Sequence, residues 1–149
     1  MIKLRKLLKE IDNGPYEYGC VMLYFDFNES QLTGIIDDKD IYDDGSGKYG
    51  KETEPHVTLL YGLHSNVTPQ IVQQMLDTIH FGDIHLSNVS VFESNNYDVL
   101  KMDAVGDGLE KAHRLLSKLP NSNEFTEYRP HMTIAYLEIR ATRSRTLFE

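Results

Sequence analysis

Two stretches decide how this chain is read: Pro55-His56-Val57-Thr58-Leu59-Leu60-Tyr61 and Pro130-His131-Met132-Thr133-Ile134-Ala135-Tyr136. Proline, histidine, threonine and tyrosine recur in register. The histidines lie 75 residues apart (131 − 56), close to half of the 149-residue chain, as expected when two similar lobes each present one copy. Successive side chains of a β-strand point to opposite faces, so His56 and Thr58 share a face, and so do His131 and Thr133. The other face, with Val57 and Leu59 in one copy and Met132 and Ile134 in the other, is apolar enough to pack on helices. By the same alternation Tyr61 and Tyr136 leave the histidine face and are expected in the core.

Outward from these strands, the opening segment Met1–Ile11 has Leu4, Leu7, Leu8 and Ile11 at helical spacing with lysines opposite, and predicts an amphipathic helix ending near Asn13-Gly14-Pro15. Tyr16 to Phe27 is aromatic and aliphatic and predicts a buried strand. Asn28 to Glu54 is dominated by Asp, Gly, Ser and Lys, and reads as a lid, a binding loop or a mobile connector. Thr68-Pro69 supplies an N-cap and a first-turn proline for a helix to about Ile79, with Ile71, Val72, Met75, Leu76 and Ile79 as its core face. Ile84–Phe92 and Tyr97–Val105, joined by Glu93-Ser94-Asn95-Asn96, predict a hairpin. Leu109, Ala112, Leu116 and Leu119 mark another helix, ending before Pro120, and a last strand runs from His131 to Ile139. The expected class is α+β: a single 1–149 domain of two pseudo-symmetric lobes, mostly antiparallel sheets flanked by helices around a central cleft.

Composition narrows the function. Fifteen basic and 23 acidic residues give a net charge of −8, which repels long polyanions but leaves a small phosphate ligand possible, because screening confines surface fields to about 8 Å. The lone Cys20 excludes an internal disulfide and a cysteine-based zinc site; it sits in an apolar run and reads as a buried, inert thiol. With no signal peptide and no apolar stretch of about 20 residues, the expectation is a cytoplasmic protein without a membrane partner. Gly45-Ser46-Gly47-Lys48 is not a P-loop, since the positions that need glycine and Ser/Thr hold Tyr42 and Tyr49.

The paired motifs suit phosphoryl transfer. Cleaving a phosphodiester without metal needs one group to take a proton from the attacking hydroxyl and another to give one to the leaving oxygen. Histidine, with a reference pKa near 6.5, does either. Two threonine hydroxyls can donate to the non-bridging oxygens where charge develops. The expected catalytic set is therefore His56, His131, Thr58 and Thr133, with no metal and no cofactor; two histidines fall short of the three or four ligands of a zinc site. Tyr18, Lys48 and Lys51 are candidate substrate-binding residues, the tyrosine for stacking a base and the lysines for bringing charge to the phosphate from the loop. His64, His80, His85 and His113 carry no partner motif.

At these residues the sequence resembles the 2H phosphoesterase superfamily, named for two His-x-Thr/Ser-x motifs: His56-Val57-Thr58-Leu59 and His131-Met132-Thr133-Ile134 both match. The resemblance implies a bilobal α+β body over nearly the whole chain, with the site between two antiparallel sheets. The run from Asp43-Asp44-Gly45 through Lys51-Glu52-Thr53-Glu54-Pro55-His56-Val57-Thr58-Leu59-Leu60-Tyr61-Gly62-Leu63 looks like the phage anti-CBASS branch, which degrades cyclic di- and trinucleotide signals of bacterial immunity in the host cytoplasm. The chain is also similar to the RNA 2′,3′-cyclic phosphodiesterase and 2′-5′ ligase group. The implied mechanism has one histidine activate a ribose 2′-hydroxyl for attack on the adjacent phosphorus while the other protonates the departing 5′-oxygen. Thr58 and Thr133 hold the phosphate. Which histidine is the base stays open, as does a third alternative, a module that sequesters nucleotides without cleaving them.

Overall fold

Alternating apolar runs and helical repeats become six strands and three helices in the computed structural model, whose described residues are 2–6, 18–25, 34, 36–125 and 127–143. The strands are β1 (Ile2–Lys6), β2 (Tyr18–Tyr24), β3 (His56–His64), β4 (His85–Glu93), β5 (Asp98–Val105) and β6 (His131–Leu137). The helices are α1 (Pro69–Leu76), α2 (Asp107–Leu116) and α3 (Ile139–Arg143), and a single 3₁₀ turn spans Asp38–Asp40. Thr68 caps α1 as its sequence predicts, its hydroxyl accepting from the Ile71 N–H at 3.3 Å. The 85–93 and 98–105 strands form the expected hairpin, closed by Ser94 N–H on the Tyr97 carbonyl at 3.1 Å.

Every strand pair is antiparallel and the sheet order is β1-β2-β3-β6-β5-β4. That order reads the same from either edge: each motif strand stands at the centre, backed by two strands of its own half. The α+β class and the antiparallel pairing are as expected, and the two halves meet in one continuous sheet.

β3 and β6 share one paired position, Val57 with Met132. Beyond it they part, and each takes a loop as its new neighbour. Ile41 and Lys51 bridge to Leu137 and Ala135 of β6. The Tyr42 and Glu52 N–H groups donate to the Tyr136 and Ile134 carbonyls, both at 2.9 Å. On β3, Leu63 bridges to Asn121, and the Ser122 N–H donates to the Gly62 carbonyl at 2.8 Å. The 41–52 stretch is therefore tied into the sheet at both ends, with the Asp43–Lys48 turn projecting between the ties. Gly62 is required where it stands: its φ is +75°, and a β-carbon there would lie 2.9 Å from the Ser122 carbonyl carbon.

Parting of the central strands divides the core. Val57, Leu59, Leu60 and Leu63 of β3 join Val72 and Leu76 of α1 and Leu109, Ala112 and Leu116 of α2 in one cluster, while Ile134, Ala135 and Leu137 of β6 form a second with Ile36, Ile41 and Leu100. Full burial of one such side chain is worth about 1.5–3 kcal/mol, so each motif strand is anchored by its own aliphatic residues.

Two expectations are corrected. Ile2–Lys6 is a strand, not the start of a helix; it pairs with β2 from Ile2 opposite Leu23 to Lys6 opposite Gly19. An isolated short helix is marginal in water, whereas the open edge of β2 offers a ladder, and Ile2-Lys3-Leu4-Arg5 also alternates with period two. The rest of the expected helix lies outside the described residues. Ile71 is 42% exposed, because α1 buries only the stripe of Val72 and Leu76. Among the described residues no helix is long and apolar enough to cross a membrane.

Candidate functional site

The pairing of Val57 with Met132 builds the site. In an antiparallel ladder residues directly opposite project to the same side, so Val57 and Met132 share one face and their neighbours His56, Thr58, His131 and Thr133 project from the other. Each histidine is anchored identically. His56 Nδ1 lies 2.8 Å from the Glu54 carbonyl oxygen, and His131 Nδ1 lies 2.8 Å from that of Arg129. A carbonyl oxygen only accepts, so Nδ1 carries the proton in both rings and Nε2 is left for chemistry. The prolines explain the arrangement: each holds the residue before it in an extended conformation, and each passes its own carbonyl to the next strand. Phe25 N–H donates to Pro55 and Ala104 N–H to Pro130, at 3.2 and 3.0 Å.

Strict alternation fails three residues on. The β2–β3 register skips Leu59, and the β5–β6 register skips Ile134. A bulge at the matching position of both motifs turns the rest of each strand by one face, as bulges beside functional sites commonly do. Leu59 and Leu60, like Ile134 and Ala135, are consecutive buried residues. Tyr61 and Tyr136 consequently stand on the same side as Thr58 and Thr133, and line one cavity with them. The expectation that these tyrosines belong to the core is thus overturned. The available signal was the repeat itself, which keeps tyrosine at the same offset in both copies.

The cavity encloses about 710 Å³ and is lined by Thr58, His131 and Thr133 among others, within the usual range for small-molecule sites. His56 is not among the lining residues, and its ring lies 5.5 Å from that of Tyr24. Aromatic rings form two walls. On one, Tyr61 stands 5.6 Å from Phe125, which is 68% exposed. On the other, Tyr97 and Tyr136 lie 5.4 Å apart within a cluster that includes Tyr42 and Tyr49, and the Phe92 and His131 rings stand nearly perpendicular with centroids 5.1 Å apart. Phe92, Tyr97 and Phe125 have no motif, and sequence reasoning missed them. Arg129 was missed too; it also lines the cavity and is held by Glu127 at 2.8 Å. An exposed pair of this kind is weak, so the guanidinium can exchange Glu127 for a phosphate.

The candidate binding residues fare differently. Lys48 is exposed on the projecting turn and Lys51 donates to Asp38 at 2.9 Å; neither lines the cavity. The Tyr18 backbone pairs with His64, at the opposite end of β2 from the Tyr24–His56 pair, and its side chain lies outside the described residues.

The second strand of each half breaks the symmetry. β2 places Tyr24 and Met22 opposite His56 and Thr58, whereas β5 places Asp103 and Lys101 opposite His131 and Thr133. Lys101 is buried and meets Asp103 at 2.5 Å under the Phe92 ring. Its hydrogen bond holds Asp103 below the ordinary carboxylate value.

Burial pushes the phenols of Tyr61, Tyr128 and Tyr136 up from their ordinary value, so they remain donors across the neutral range. An ultraviolet titration is expected to show a late phase, above the ordinary phenol value of about 10, that contains these three. Tyr→Phe at any of them should remove amplitude from the late phase alone. A single step for all tyrosines would contradict this. As the folded values are raised, the unfolded chain ionises first, and the associated stability, intact below about pH 10, is lost as pH climbs from there through the folded values.

No curated protein matches the chain. The profile described as 2′-5′ RNA ligase superfamily matches residues 39–149, well over half of the sequence and inclusive of both motifs. With its two anchored histidines, paired threonines and symmetric antiparallel sheet, the chain belongs to the 2′-5′ RNA ligase superfamily.

Proposed function

We propose that this protein is a metal-independent phosphodiesterase that opens 3′-5′ linkages of small cyclic oligonucleotides, of the type used as bacterial immune signals. Family membership supports phosphodiesterase or ligase chemistry in general. The observation that carries the reading is the matched pair of imidazoles, each with Nδ1 on a backbone carbonyl, flanking two threonines on adjoining strands. One Nε2 removes the proton of a ribose 2′-hydroxyl as its oxygen attacks the adjacent phosphorus. The other imidazole, protonated, delivers its proton to the departing 5′-oxygen as the P–O bond breaks. The products of this step are a 2′,3′-cyclic phosphate and a 5′-hydroxyl, and water then opens the cyclic ester with the histidine roles reversed. Thr58 and Thr133 donate to the non-bridging oxygens.

Three features support a small cyclic substrate. The net charge of −8 disfavours long nucleic acid, the cavity is about 710 Å³, and aromatic walls on two sides can each stack a base. A second reading, an enzyme of RNA 2′,3′-cyclic ends, is favoured by the description of the matching family.

Turnover of a 3′3′-cyclic dinucleotide, a cyclic trinucleotide and an RNA 2′,3′-cyclic end, all in EDTA, separates the readings. Multiple turnover of the cyclic oligonucleotides is the expected result. Cleavage confined to RNA ends moves the assignment to RNA processing, and tight binding without turnover identifies a sequestering module.

A further inference from the structure

The bulge at Leu59 creates a local problem that the two halves solve differently. Past the one position shared with β6, the carbonyls of Thr58 and Leu59 have lost that neighbour, and buried carbonyls need partners. In the second half the equivalent Ile134 carbonyl receives a backbone donor, the Glu52 N–H at 2.9 Å. In the first half the donors are side chains. The Tyr128 hydroxyl donates to the Thr58 carbonyl at 3.0 Å, and His113 Nδ1 lies 2.7 Å from the Leu59 carbonyl, which fixes the proton on Nδ1. The two rings stack at 4.0 Å, 2° from parallel, and both line the cavity. His113 is carried by α2, whose Leu109, Ala112 and Leu116 are fully buried, so one side of the brace is set by the core.

We propose that His113 and Tyr128 are positioning residues of the first half-site: by holding two successive carbonyls at the bulge, they set where the Thr58 hydroxyl and the Tyr61 ring stand in the cavity. Neither belongs to the paired motifs. They act through Thr58, so their loss shows in the transition state, where its hydroxyl meets developing charge, more than in substrate binding. This rests on the phosphodiesterase reading, and the test keeps the two apart.

The experiment is a double-mutant cycle on the full chain, using whichever of the three substrates above the wild type turns over. Tyr128→Phe keeps the stack and deletes one hydroxyl; His113→Phe keeps a ring and deletes the Nδ1 donor. Each is expected to lower kcat by about tenfold to a hundredfold with KM within about twofold. In a Thr58→Val background neither should lower it further, which a merely structural role would not produce. Full activity of both variants, or the same loss with and without the Thr58 hydroxyl, overturns the proposal. If His56→Ala is also fully active, it is the phosphodiesterase reading that fails. An NMR readout needs no turnover: the Thr58 methyl and Tyr61 ring resonances should move in both variants while those of Thr133 and Tyr136 stay, and unmoved Thr58 and Tyr61 signals overturn the proposal as well.

Discussion

Alanine at His56 or at His131 is expected to lower kcat by about 10²–10⁴-fold, the range for a lost proton-transfer group, and to leave the thermal midpoint within about 4 °C. The two effects separate because each ring is half-buried and makes its hydrogen bond to a carbonyl at a strand start, so little of the core depends on it. The double variant should fall little below the weaker single one, since removing either group already disables the concerted transfer. The pH profile then assigns the roles that sequence symmetry leaves open. A wild-type bell reports one essential base and one essential acid; alanine at the base removes its rising limb, and alanine at the acid its falling limb. Asp103, opposite His131, marks the half where a charged neighbour can bias that choice. Losses below about threefold in both variants would sink the two-histidine mechanism.

Gly62→Ala has the largest expected effect on stability. The backbone at this position is left-handed, with φ +75°, and the new methyl would meet the Ser122 carbonyl carbon at 2.9 Å and oxygen at 3.0 Å. Strain of about 1–3 kcal/mol from the dihedral adds to a similar cost of overpacking against backbone that cannot turn aside, for a total of about 2–6 kcal/mol. Denaturant unfolding reads it directly, as a lower midpoint at unchanged slope. A function effect follows: Ser122 N–H is bonded to the Gly62 carbonyl, and the same segment carries Phe125 to Tyr61, so the aromatic wall moves and KM rises. Alanine tolerated within about 0.5 kcal/mol would mean that the 120–123 segment gives way freely.

Much of this was legible from local patterns. The antiparallel hairpin, the capped α1, the apolar stripe of α2 and the His-x-Thr pairs are each set by neighbours a few residues apart in sequence, where periodicity and capping operate. What misled were local patterns that long-range contacts override. Leu4 fits two periods, the helical one with Leu7 and Leu8 and the extended one with Ile2, and the open β2 edge chose the extended one. Tyr61 and Tyr136 obey alternation until a bulge rephases both strands, and nothing in Leu59 or Ile134 announces a bulge.

The sequence by itself determined the chemistry on offer: two histidines and two threonines in matching frames, an acidic balance of charge, and strands able to carry each motif. Only the tertiary structure decided what stands around them. It joined the halves through one pair, Val57 with Met132, turned two tyrosines into the cavity, and brought Phe92, Tyr97, Phe125 and Arg129 to its walls while leaving Lys48 and Lys51 outside. The physical reason is separation along the chain. Side-chain direction within a strand follows from covalent geometry, but a bulge, a parted strand pair and a braced carbonyl depend on partners distant in sequence, such as His113 and Tyr128, whose sequence separations from Leu59 and Thr58 are 54 and 70.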